Sequence, residues 1–392
     1  MSSRFHVSAA VAAFSSLASL TSAQDFIHYK FDSTCNDEVI NYATGTSALA
    51  SNGVMQSTSA ISPYVTGVFG SALAAGSTVS PTYSNRVITG WDPGVQNITG
   101  DLTMACFMRY NASNGSPFYI WGAPSGGFRM FTSGVAGNGL YQRVILASGG
   151  NGVNASIAND FYLPDTTFDF QAAAAAGWVH VAIVVDATAA TADWYINGTS
   201  VLQLTGVVGG AQITAAGPFQ LGGYSSTSHF DVDEFLMSTR AYTPAEILAL
   251  SLAPQGGDGD YYSGTTTQCG TLALASTGGR PAIGNANYAL EVTPSAPSIY
   301  AVLFGLDRCT FSGSLPLPFD GGMLTPAAAG CKVLADNLLT LSGVAASGPA
   351  TLPIPLVGGS LSGVQFYAQA AAVDLTTSAI SASNGFTFSI GF

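Results

Sequence analysis

Residues 178–204 restrict the fold more than any other stretch. Val179, Val181, Ile183 and Val185 alternate with Trp178, His180, Ala182 and Val184, and side chains two apart share one face of a strand. Both faces are then largely apolar, which predicts an inner strand covered on both sides. Asp193-Trp194-Tyr195-Ile196 follows, then Asn197-Gly198, then a second run over 199–204. Asn-Gly supplies the two consecutive positive-φ residues that a type I′ turn requires, so a β-hairpin is expected here. Further strands are predicted at 26–31, 102–110, 117–121, 128–132, 140–146, 219–221 and 230–237. Long helical periodicity is absent, which points to an all-β chain of packed antiparallel sheets. One short helix is expected after Thr243, where Pro244 takes the first helical position and Glu246 completes a capping box.

Charge limits the partners. The chain of 392 residues carries 22 acidic and 10 basic side chains, net −12, and charged residues are 8% of the total, against about 25% in ordinary soluble proteins. Lys30 and Lys332 are the two lysines. So sparse a basic complement supplies no patch to neutralise phosphates, and nucleic-acid binding is excluded.

The N-terminus reads as a secretory signal: Arg4, an apolar run over 7–20, then Thr21-Ser22-Ala23 with small residues before the expected cleavage after Ala23. The run is too short and too serine-rich to span a bilayer. In an exported chain disulfides are the default. The cysteines are Cys35, Cys106, Cys269, Cys309 and Cys331, and their spacing matches no zinc pattern. Cys309 and Cys331 flank a Pro/Gly-rich loop and are expected to pair. Cys106, inside an apolar run, is expected to be a buried free thiol, and the pairing of Cys35 and Cys269 stays open.

The polar, glycine-rich stretch Pro254-Gln255-Gly256-Gly257-Asp258-Gly259-Asp260 breaks the pattern and marks a domain boundary. The expected organisation is a signal segment over 1–23, a first domain over 24–252, a linker over 253–266 and a smaller C-terminal β-sandwich over 267–392. Strands of the latter are expected at 271–275, 288–292, 299–304, 338–341, 350–355, 364–371 and 386–390.

Four motifs in this order resemble the laminin G-like, concanavalin A-like jelly-roll family: Tyr29-Lys30-Phe31-Asp32; the segment 100–109; Gly177-Trp178-Val179-His180-Val181-Ala182 running into Trp194-Tyr195-Ile196-Asn197-Gly198; and Phe230-Asp231-Val232-Asp233-Glu234-Phe235 running into Thr243-Pro244-Ala245-Glu246. The likeness covers about residues 25–251. Phe107 and Met108 stand where family members usually carry tryptophan. In the second domain Pro281-Ala282-Ile283-Gly284, Gly330-Cys331 and Phe366-Tyr367-Ala368-Gln369 resemble a compact β-module found at the ends of secreted bacterial proteins.

The resemblance implies two antiparallel sheets packed face to face and a binding role toward a glycan or an extracellular protein surface. It also implies that the Asp-Glu pair at Asp233-Glu234 closes the sandwich near the N-terminal strand. Some members hold calcium at an edge, and Asp32, Asp233 and backbone carbonyls would supply its oxygens here. Jelly-roll glycosidases place two glutamates and an aspartate on one strand, with acid and nucleophile about 5–5.5 Å apart. Asp231-x-Asp233-Glu234 offers one glutamate and the wrong spacing, so a secreted glycoside hydrolase or lyase is the alternative reading and a structural cell-envelope component the third. His180 and His229 read as structural, since no nucleophile motif accompanies either. A sugar binder stacks aromatic rings on pyranose faces; Trp91, Tyr119, Trp121 and Tyr224 fall in or beside expected loops and are the candidates. Trp178 and Trp194 read as core.

Overall fold

The computed structural model describes residues 25–392 except 33, 44–50, 59–61, 78–81, 94, 96–97, 112–118, 124–127, 136–138, 146–159, 214–216, 224–226, 263–267 and 357–360; at 119, 133–135, 139–143, 145 and 160 it describes the backbone alone. The expected signal segment therefore lies outside the described residues.

The strand Val179–Asp186 lies where the alternation put it, with Val179, Val181, Ile183 and Val185 in the main core and Ala182 and Val184 in a second apolar layer on the opposite face. It pairs with Leu102–Tyr110 on one side and Thr191–Ile196 on the other. Asn197 and Gly198 take φ of 48° and 79° and turn the chain into Thr199–Thr205. A Cβ on Gly198 would meet Ser251 and Leu248 of the helix Pro244–Leu252, so glycine serves both the turn and the close helix approach. That helix carries the expected capping box from Thr243 and Glu246. Its buried Ile247 and Leu250 cover the outer layer of Ala105, Ala182, Val184 and Leu236.

Two eight-stranded sheets enclose the main core. The first runs Thr199–Thr205, Thr191–Ile196, Val179–Asp186, Leu102–Tyr110, Phe230–Ser238, Ser71–Leu73, Tyr64–Thr66, with Asp25–Tyr29 also paired to Phe230–Ser238. The second runs Asp160–Pro164, Gly139–Ile145, Arg129–Val135, Tyr119–Gly122, Gln220–Leu221, Asn85–Ile88, Gly53–Ser57, Glu38–Val39. Between them Trp91 packs on Phe26, Phe128 and Phe219, and Trp121 packs on Phe128, Phe219 and Phe235, with ring centroids 5.0–6.1 Å apart. A helix at Phe170–Ala176, capped by Asp169, is not among the elements expected from the sequence, because five successive alanines carry no amphipathic signal.

A second, separate core lies between a five-stranded sheet, ordered Gly257–Tyr261, Ile380–Ser389, Gln365–Asp374, Ser298–Gly305, Leu339–Ala345, and a three-stranded one, Ala273–Thr277, Ala289–Thr293, Ala350–Pro353. The expected linker is corrected in part. Gly257–Tyr261 is an edge strand of this second sandwich, paired along its length with Ile380–Ser389, and Asp260 holds the Asn384 amide at 2.6 Å.

The disulfide expectation is also corrected. Cys309 pairs with Cys35, Cα atoms 5.4 Å apart, and Cys331 pairs with Cys269, 4.9 Å apart, while Cys106 is free and buried as expected. Nearness in sequence misled because the loop between Cys309 and Cys331 carries each to a different neighbour. The Cys35–Cys309 bridge ties the first sandwich to the second. Around it Arg308 binds Glu38 at 2.9 Å, Arg280 pairs with Asp25, and Ile40 and Tyr42 pack with Tyr261, Leu334 and Tyr367. Replacing Cys35 and Cys309 together by serine is expected to cost about 2–5 kcal/mol, read as a lower guanidinium midpoint; an unchanged midpoint would show that the ion pairs alone hold the junction.

Candidate functional site

The strand Phe230–Ser238 is buried along its whole length, so its acids need partners inside the protein. Asp231 accepts the Ala75 N–H at 2.7 Å and two Arg109 guanidinium bonds at 2.9 and 2.7 Å. Asp233 accepts the backbone N–H groups of Val68, Phe69 and Glu234 at 2.7, 3.2 and 2.8 Å. Glu234, at φ 47° in an irregularity of the strand, takes the Lys30 ammonium on both oxygens at 3.1 and 3.0 Å and His28 Nε2 at 2.9 Å. Glu234 thus ties this strand to the N-terminal segment at His28 and Lys30, whereas Asp233 holds the backbone at Val68 and Phe69 instead.

The Lys30 ammonium pairs with Glu234 and its charge also reaches Asp32, while Asp233 feels the charges of both acids. Burial pushes Glu234 up, but Lys30 and His28 hold it below the ordinary glutamate value. Burial and then the Glu234 charge raise Asp32 to about 7 and Asp233 to about 8. Burial, with the Lys30 charge next, lowers His28, and burial alone takes His180 down to about 4. Both histidines are therefore neutral supports. His180 lies edge-on to Phe107, 5.0 Å between centroids. His229 is likewise buried.

These residues do not fit calcium. Lys30 already takes both oxygens of Glu234, Asp32 spends an oxygen on the Ser71 N–H at 2.9 Å, and both oxygens of Asp233 face N–H donors, whereas calcium needs six to eight converging oxygens. Nor do they suit a glycosidase pair, since every acid on the strand is engaged by a cation or by backbone N–H groups.

The aromatic candidates are corrected as well. Trp91 and Trp121 are fully buried, because each completes the phenylalanine cluster between the sheets, and they cannot stack on a ligand. The Tyr119 side chain and the whole of Tyr224 lie outside the described residues. Trp194 is core as expected, but Trp178 is partly exposed beneath the Arg109 guanidinium, 4.6 Å from its ring centre.

A different set emerges on the outward face of the second sheet. Met55, Val87, Trp121, Met130 and Leu221 point into the core, so strand alternation sends Val54, Gln56, Arg86, Ile88, Gln220, Arg129 and Phe131 outward. The register puts Val54 beside Ile88, Gln56 beside Arg86, and Ile88 beside Gln220. Arg86 Nε donates to Gln56 Oε1 at 3.2 Å, and the Arg129 guanidinium lies 5.2 Å from the Phe131 ring centre. The face deepens from Val54, 51% exposed, to Gln220, 7% exposed. Among the described residues Gln220 Oε1 and Arg129 Nε are buried without a hydrogen-bond partner. Two-residue periodicity around Trp121 and Met130 was the signal that could have found this face.

Residues 81–248 match the family model described as the concanavalin A-like lectin/glucanases superfamily. Over these residues the first sandwich has a concanavalin A-like jelly-roll fold. No curated protein matches the chain. Among solved structures, the chain is similar to domain 4 of AbnA, an extracellular arabinanase from Geobacillus stearothermophilus in complex with arabinotriose, at 18% identity over 59% of this chain and 99% of that one, TM-score 0.40. It is also similar to the binding domain of Paraclostridial Mosquitocidal Protein 1 at 12% identity over 93% and 91%, TM-score 0.39. A third is the binding domain of Botulinum neurotoxin DC in complex with rat synaptotagmin II, at 11% identity over 89% and 74%, TM-score 0.38. At scores this low the likenesses carry no inference about ligand.

Raised carboxylate values tie this cluster to pH. The proton on Asp233 favours the fold fully below the ordinary value of 3.8, and that favour is lost as pH rises through about 8. Asp233→Asn fixes the neutral form, so its thermal midpoint should fall less than that of the unmodified protein between pH about 4 and about 8; parallel profiles would refute the protonated carboxyl. A chelator should leave the midpoint of the unmodified protein unchanged, and a lower midpoint would restore a calcium site.

Proposed function

We propose that the protein is an exported, non-catalytic binding protein that holds an extended glycan on the outward face of the second jelly-roll sheet. Gln220 carries the reading: its amide oxygen is buried without a partner among the described residues, at the deep end of that face. A buried acceptor left open costs about 1–3 kcal/mol, which a ligand hydroxyl would recover. Arg129 and Arg86 add donors, and the apolar surfaces of Val54, Ile88 and Phe131 suit the hydrophobic faces of sugar rings. The two disulfides fit an extracellular protein, and among the described residues no helix is long and apolar enough to cross a membrane.

The non-catalytic part rests on the engaged acids of Phe230–Ser238, which lie on the other sheet. A polysaccharide array probed with the full chain should give a ligand, and Gln220→Ala with Arg129→Ala should weaken it at least about tenfold, the scale of a lost pair of hydrogen bonds to a charged or buried group. No reducing sugar should appear during the incubation. Unchanged affinity in the double variant would move the site elsewhere, and sugar release would make the protein an enzyme.

A further inference from the structure

The five-stranded sheet of the second sandwich has one face in the core and one face turned away from it. Tyr300, Val302, Phe304, Ala368, Ala370 and Ala372 belong to the core face. On the other face the register builds three cross-strand rows. Val344, Ile299, Val373 and Ile380 form the first; Val344, Ile299 and Val373 are 69%, 50% and 40% exposed. Ser342, Ala301, Ala371 and Ala382 form the second, and Thr340, Leu303 and Gln369 the third.

Segment 311–333 arches over this face, pinned at Cys331 by the disulfide to Cys269. It is also fastened through Gln369, whose side chain accepts the Leu334 N–H at 2.9 Å and donates to the Lys332 carbonyl at 2.8 Å. The small side chains of the middle row leave the space under the arch unfilled. A cavity of about 400 Å³ results, walled by Ile299, Leu303, Phe311, Leu324, Val333 and Val373 among others. That volume lies within the range of ligand pockets, roughly 300–1,000 Å³.

The chemistry of the walls selects an occupant. Aliphatic surface dominates, and the exposed first row continues it beyond the mouth, so the shape suits a flexible hydrocarbon chain. Among the described residues lining the cavity, Lys332 is the charged one. Among the described residues its ion pair is a loose one, 3.7 Å to Asp320, and Asp320 also receives the Gly322 and Gly330 N–H groups. An ammonium so weakly held at an apolar cavity is complementary to an anionic head group. We propose that the cavity under segment 311–333 binds a single aliphatic chain ending in a carboxylate, with the head group on Lys332 and the tail over Ala301 and Ala371.

Calorimetric titration of the full chain with decanoate tests this. Octanoate, decanoate and dodecanoate should bind in that order, tightening about fourfold per added methylene as each buries more apolar surface. Lys332→Gln should weaken decanoate at least about tenfold and leave 1-decanol unchanged. Ala371→Leu should fill the hollow and abolish binding of both; its neighbour Ala301→Leu is the second filling variant, and circular dichroism checks that each is folded. Decanoate that gives no heat at about 1 mM, or that binds a folded filling variant as well as the unmodified protein, overturns the site. Equal loss of decanoate and 1-decanol in Lys332→Gln overturns the carboxylate. Concentration-dependent dimers that decanoate does not dissociate would assign the face to a second copy instead.

Discussion

Glu234 lies buried on the outer side of the first sheet with Lys30 and His28 on its carboxylate and a left-handed backbone beneath it. The strand that carries it is sandwiched between the aromatic core and the layer under the helix Pro244–Leu252, so burial leaves little solvent to stabilise its charge. A buried carboxylate deprived of its partner costs about 3–5 kcal/mol. The arrangement therefore fixes the N-terminal strand Asp25–Tyr29 against Phe230–Ser238, two segments more than 200 residues apart in sequence, as the Lys30 to Glu234 separation of 204 records. The same strand accommodates each of its acids differently: Asp231 with Arg109, Glu234 with Lys30, and Asp233 with backbone N–H groups, its pKa raised by burial and by the Glu234 charge. Those three solutions make the cluster architecture and remove it from chemistry.

Features that depend on neighbours a few residues away were legible in the sequence. The Asn197-Gly198 turn, the Thr243 capping box and the two-faced strand at 179–186 are of this kind, since dihedral preference and alternation act locally. The disulfides were not legible: their separations are 274 and 62 residues, and only the packing of the two sandwiches brings those sulfurs together. Trp91 and Trp121 were misread because the strands near them are short, and a tryptophan beside a loop looks exposed until Phe26, Phe128, Phe219 and Phe235 are seen to converge on it. Asp258 and Asp260 made a strand look like a linker; their charges are tolerated because Gly257–Tyr261 is at an edge, with Asp260 on Asn384.

The cavity under segment 311–333 was hidden for a related reason. Ala301, Ala371 and Ala382 read as ordinary strand residues, and nothing in a list of alanines says that they align across neighbouring strands. Register converts them into a row, and a row of small side chains under a disulfide-pinned arch becomes a volume. The larger residues on either side, Ile299 and Leu303, wall the space, which a well-packed interior would close.

Scarcity of charge sharpens where recognition can occur. In a chain with so few basic residues, Lys30, Arg109, Arg240, Arg280, Arg308 and Lys332 each face an acid. Among the described residues that leaves Arg86 and Arg129 outside the ion pairs, and both belong to the outward face of the second sheet. Lys332, the loosest of the six, lines the apolar cavity of the other sandwich. Cations tightly bound within the fold contribute to stability and cannot also address a ligand; the three that are spare or loosely held fall on two surfaces, one polar and partly aromatic, the other aliphatic. On the readings proposed above, the distribution separates a surface suited to a hydroxyl-rich ligand on the first sandwich from one suited to a hydrocarbon ligand on the second, with the ion pairs of Arg280 and Arg308 lying between them.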